Sequence, residues 1–106
     1  MACRIPNIVP EWSALGEWCR LEDGTPAVHY VPCTSIYVNT GGVNTIGGVA
    51  DKALFIEALE KLYTDEQYRR TLGEYGYTVI TNPKYDNKNV AAAFNMLFKK
   101  TLYEQL

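Results

Sequence analysis

The chain has 106 residues, room for one domain and not for two. Its 47% hydrophobic content is enough to build a core and excludes disorder throughout. A net charge of -2 leaves no basic excess to hold a phosphate backbone, so nucleic acid is not an expected partner.

The first 48 residues hold both tryptophans, four of the five prolines and six of the eight glycines, and the rest reads as helix. Asn7-Ile8-Val9 lies between Pro6 and Pro10 and reads as a short buried strand that the prolines end on both sides. A turn then leads into a short helix, with Ser13 as its expected cap. After the Gly24-Thr25-Pro26 break, Ala27 to Val31 reads as a second strand, and Ser35 to Val38 extends or follows it. Asn39 to Gly48 is rich in residues that tolerate positive φ and reads as a loop. It is neither GxGxxG nor a P-loop, so its glycines point to a connection rather than a phosphate cradle.

Asp51 is a fitting cap for a helix whose apolar positions are Leu54, Phe55, Ala58, Leu59, Leu62 and Tyr63. Thr64 to Gln67 matches a capping box and opens a second helix, with Tyr68, Leu72, Tyr75 and Val79 on one face. Gly73 and Gly76 are expected to weaken that helix by about 1 kcal/mol each relative to alanine. Asn82-Pro83 ends it. Asp86 is the expected cap of a third helix, with an inner face of Val90, Ala93, Phe94, Leu97, Phe98 and Leu102.

Three widely spaced cysteines with no CxxC pair, and a single histidine, His29, lack the paired ligand spacing of a zinc site. No metal and no cofactor is expected. His29 and Cys33 are four apart on an extended segment, roughly 13 Å by strand rise, too far for a base and its nucleophile. Lys61, Arg69, Arg70, Lys99 and Lys100 read as solvated helix faces. No apolar run approaches the roughly 20 residues that span a bilayer, and the first residues lack a signal-peptide stretch, so a cytoplasmic location is expected.

The opening Met1-Ala2-Cys3-Arg4-Ile5-Pro6-Asn7-Ile8-Val9-Pro10 resembles the EAMACG-PVI segment of the group 1 retaining glycosyltransferases, which have the GT-B fold. Ser13 to Glu17 resembles the turn that follows, where that family often carries a glycine pair and then Pro-Glu. Asp51 to Asp65 and Glu66 to Tyr77 resemble its next two helices, the second by an R-x-x-L-G segment. Lys84-Tyr85-Asp86 stands where the family has an aromatic residue before its last helix. The match runs in order along nearly the whole chain, and the MAC-x-x-P-x-I-V-P opening and R-x-x-L-G carry most of its weight.

The resemblance implies an α/β fold, a truncated Rossmann-like half-domain with two short parallel strands and three main helices over residues 1–106. It implies Ser13 and Glu17 as contacts to a nucleotide-sugar donor, since ligands of such folds bind at the carboxyl ends of parallel strands. The family's two donor-site glutamates precede the matching methionine, and its diphosphate-binding residues lie further upstream. Arg4 replaces the family's glycine. The expected function is therefore nucleotide-sugar-dependent transfer only when a missing upstream half completes the site. The alternative is a catalytically inert domain that self-associates through its open strand edge and apolar helix faces. The expected partners are that half or further copies of this chain, with weak nucleotide-sugar binding.

Overall fold

The computed structural model describes residues 1–39, 41 and 45–104. The first strand, β1 (Ile8–Pro10), lies one residue later than the expected Asn7–Val9 and ends on Pro10 itself; it pairs in parallel with β2 (His29–Val31) in the register Ile8 to His29 and Pro10 to Val31. Asn7 carbonyl accepts from His29 N–H, and Glu11 N–H donates to Val31 carbonyl. The alternation of a parallel ladder then turns the backbone of Ile8 and Pro10 to the outer edge. Proline has no N–H, and the Pro10 carbonyl already accepts from Trp12 N–H at 2.9 Å. The open edge is real but short and poor in donors, which blunts it as a template for another strand.

Helix α1 (Ala14–Trp18) leaves the carboxyl end of β1. The chain returns through β2 and at once forms β3 (Cys33–Asn39), antiparallel to β4 (Thr45–Ala50). This hairpin corrects the expectation of a loop from 39 to 48. Residues 40 and 42–44 of that stretch lie outside the described residues, while 45–48 belong to β4. The glycines serve close approach within the sheet. A Cβ on Gly47 would fall 2.3 Å from the Tyr37 ring, and one on Gly48 would fall 2.5 Å from the Trp12 ring.

The longer helices are α2 (Lys52–Thr64), α3 (Glu66–Ile80) and α4 (Asn87–Glu104), with a 3-10 turn at Pro83–Tyr85 before the last. Asp51 caps α2 through Leu54 N–H, as its position predicts. The cap of α3 is Asp65 and not Thr64. Asp65 accepts from Tyr68 N–H, and its own N–H closes α2 on the Lys61 carbonyl. Thr64 belongs to α2, where its hydroxyl donates to the Glu60 carbonyl. One aspartate thus ends one helix and starts the next. Arg69 adds a cap to α2 by donating to the carbonyls of Leu62 and Tyr63.

The core is built from small side chains. Its buried apolar residues are Cys19, Ala27, Val28, Val31, Ala58, Leu62, Leu72 and Val79, and among the described residues nothing larger than valine is fully enclosed. α3 lies across the first segment at close range because Gly73 meets the Arg4 carbonyl and Gly76 meets Met1 and the Ala27 carbonyl. Arg4 itself has φ 58, the left-handed region that glycine adopts without strain. Its side chain offsets that cost locally, stacking 3.7 Å from the Tyr77 ring centroid and pairing with Glu74 at 2.9 Å.

Many large apolar residues stay outside this core, among them Ile36, Val38 and Ile46 on the hairpin and Ile56, Leu59 and Tyr63 on α2. The inner face expected for α4 has no counterpart inside the molecule. Its substantial packing partner is the 3-10 turn, and it contributes no buried residue. The chain is accordingly elongated, with a radius of gyration of 18.0 Å. A compact domain of this length would have about 13 Å. The architecture is mixed α/β with one parallel strand pair, one hairpin and four α-helices among the described residues.

Candidate functional site

Ser13 and Glu17 sit beyond the carboxyl end of β1, where the parallel pair delivers them. Ser13 occupies the cap position of α1, but its side chain makes no cap hydrogen bond there. That corrects the capping expectation, and the reason is conformational. Ser13 has φ 53 and ψ -138, whereas a capping serine adopts extended backbone that aims its oxygen at the free N–H groups. Its carbonyl accepts from Gly16 N–H at 3.0 Å, closing the turn instead. A non-glycine residue held there costs of order 1–3 kcal/mol. Both side chains are solvent-facing, and neither enters a hydrogen bond or ion pair among the described residues.

Behind these two residues stands a brace that sequence reasoning missed. Arg20 is the only basic residue between Glu11 and Val31. Its guanidinium donates to the Gly16 carbonyl at 2.9 Å, to the Gly24 carbonyl at 3.4 Å and to Glu11 Oε1 at 3.2 Å. It also stacks 4.7 Å from the Tyr30 ring centroid. The Tyr30 hydroxyl donates to the Leu15 carbonyl at 2.5 Å. Arg20 and Tyr30 therefore hold two adjacent carbonyls of α1, those of Gly16 and Leu15, and Arg20 is engaged rather than presented to a ligand. No spacing rule links Glu11, Arg20 and Tyr30, because the turn between them is set by tertiary packing.

The buried Cys19 and the half-buried Tyr30 of this brace are held neutral. Burial pushes the Cys19 thiol up, against smaller opposing effects of the Tyr30 hydroxyl and the Arg20 charge. Burial likewise raises the Tyr30 phenol, with Cys19 beside it adding to the shift. Neither is a nucleophile at neutral pH. All three thiols are free. His29 lies on β2 with Nδ1 2.7 Å from the Tyr68 hydroxyl, the rings meeting edge to face. It ties the sheet to α3 and takes no part near Ser13 and Glu17. Among the described residues no group of three or more His, Cys, Asp or Glu side chains converges as a metal site would require.

Two concavities flank the segment. An apolar groove of about 370 Å³ is lined by Met1, Val9, Leu15, Trp18, Cys19 and Ile80 on one side of α1. Leu15 and Trp18, three apart on the helix, face into it, while Ser13 and Glu17 do not line it. A second cleft of about 370 Å³ lies between the Arg20–Asp23 turn and the end of α3, walled by Thr78, Asn82 and Tyr85. Asn82 bridges it by donating to Glu22 at 3.2 Å. The lining of the cleft carries two carboxylates, Glu22 and Asp23, and two cations, Arg20 and Lys84, so charge alone selects neither sign of ligand. No helix of the described residues is long and apolar enough to cross a membrane. Compared with models of known protein families and with curated proteins, the chain matches none.

Proposed function

We propose that this chain is the carboxyl-terminal part of a nucleotide-sugar-binding domain of a GT-B retaining glycosyltransferase, and that it transfers sugar only when a further polypeptide completes the site. The fold in this reading is a truncated Rossmann-like half-domain. The observation that carries the proposal is the Ser13 and Glu17 side chains standing unpartnered among the described residues beyond the carboxyl end of a parallel strand, with Ser13 held at φ 53. That is where doubly wound folds bind ligands, and strain of this kind gathers at functional positions. In this role the Glu17 carboxylate accepts hydrogen bonds from sugar hydroxyls, and the Ser13 hydroxyl meets a donor oxygen. The diphosphate must be neutralised from elsewhere, since Arg20 is committed to Glu11 and two carbonyls. That nothing larger than valine is fully enclosed among the described residues supports the idea of an incomplete unit.

Calorimetric titration with uridine and guanosine diphosphate sugars tests this. The chain alone should bind weakly and transfer nothing. Mixed with the amino-terminal part of a group 1 glycosyltransferase, it should bind more tightly, and Glu17→Gln should remove the gain. Transfer by the chain alone, or binding indifferent to both Ser13→Ala and Glu17→Gln, would sink the proposal.

A second reading, self-association without catalysis, is favoured by the apolar side chains of α2, α4 and the hairpin that face solvent.

A further inference from the structure

Among the unpartnered faces, α4 is the one whose pattern specifies its own cover. Val90, Phe94, Leu97 and Thr101 recur at steps of four, three and four, the spacing that sets knobs into the holes of a facing helix. Phe98 and Leu102 widen the stripe on one side. Phe94 and Leu97 are each 55% exposed, Phe98 and Leu102 each 64%. With full side chains of roughly 150–250 Å² for residues of this size, the stripe offers on the order of 500 Å² per copy. Two copies then bury about 1,000 Å² between them, the lower bound for a specific interface. A notch of about 230 Å³ formed by Lys84, Val90, Ala93, Phe94 and Leu97 lies beside the stripe. It is large enough for one leucine or phenylalanine from a facing helix. Charge does not oppose the pairing. Laid antiparallel, Lys99 and Lys100 of one copy fall at the level of the Ala91-Ala92-Ala93 run of the other, clear of like charges. The competing surface, the outer edge of β1, spans three residues and includes a proline, so it offers little to pair with.

We propose that α4 is a self-association helix, and that two copies of the chain pair α4 against α4 through Val90, Phe94, Leu97, Phe98, Thr101 and Leu102. This rests on the self-association reading and is independent of sugar transfer. It assigns Thr101 as the one polar position within an otherwise apolar seam. Its hydroxyl is accommodated by the Leu97 carbonyl at 2.9 Å.

Multi-angle light scattering over a dilution series tests it, with circular dichroism to confirm that each variant keeps its helices. The chain should run at twice 11.9 kDa and dissociate on dilution. Phe98→Glu should weaken the dimer by at least about a hundredfold, as placing a charge on an aromatic anchor of the interface does. Met96→Glu, on the opposite side of the same helix, should change it less than about twofold. Thr101→Leu should tighten it roughly tenfold by completing the seam. A monomer at every concentration overturns the proposal and the self-association reading together. A dimer that survives Phe98→Glu, or is lost equally with Met96→Glu, overturns α4 pairing while leaving self-association through another face.

Discussion

Replacing Gly73 by alanine separates helix propensity from tertiary contact, because the two give opposite signs. Gly73 is in the middle of α3, where alanine is favoured over glycine by about 1 kcal/mol. Yet a Cβ there would lie 2.2 Å from the Arg4 carbonyl oxygen and 3.0 Å from its carbon. Both are backbone atoms, so no side-chain rotation relieves the overlap. Relief requires α3 and the Met1–Pro6 segment to part by about 1 Å, and overpacking of this kind costs typically 1–3 kcal/mol. At the upper end of that range, less the helix gain, Gly73→Ala is destabilising by about 2 kcal/mol. For a chain of this size that lowers Tm by roughly 10 °C. Gly76→Ala is the internal control. Its Cβ would meet the flexible Met1 Cγ at 3.2 Å and the Ala27 carbonyl at 3.6 Å, so the helix gain should survive. Urea denaturation followed by circular dichroism reads both. If Gly73→Ala is as stable as Gly76→Ala, the close approach of α3 to Arg4 is wrong.

Other outcomes follow from the same geometry. His29 is held below its ordinary pKa by burial first and by the nearby Lys61 second. The unfolded chain therefore takes up this proton at higher pH than the folded one, and stability rises with pH across that window. The His29 contribution is full above about pH 6.5 and declines as pH falls toward the folded pKa. In His29→Gln the slope of Tm between about pH 7 and pH 5 should flatten, and an unchanged slope would remove His29 from the account. Ser13→Gly should raise stability by about 1 kcal/mol, since glycine takes φ 53 without strain and the exposed side chain packs on nothing. A thermal melt showing a loss instead would mean that Ser13 makes a contact of its own. Asp65→Ala should cost about 1 kcal/mol of chemical stability as a lost cap, while Thr64→Ala should stay within about 0.5 kcal/mol. The reverse order would restore the capping box.

Much of this molecule is local and could be read from the chain. Asp51 before an apolar-periodic run starts α2, and Asn82-Pro83 ends α3 because proline cannot continue it. Pro6 precedes β1, and Pro10 is its last residue. The caps and breaks depend on residues a few positions apart, and spacing settles them, whereas the parallel pairing of β1 with β2 joins distant segments and is what the family resemblance implies. What required the tertiary structure lies between segments distant in sequence. β4 forms because its glycines admit the rings of Tyr37 and Trp12. Gly73, locally a weak helix residue, is where α3 crosses the Arg4 backbone. Arg20 turns inward to brace α1 because Glu11 and Tyr30 meet it there. The same holds for α4. Periodicity determined which of its side chains share a face, but whether that face is covered depends on what the rest of the chain brings to it, and among the described residues its main packing partner is a 3-10 turn.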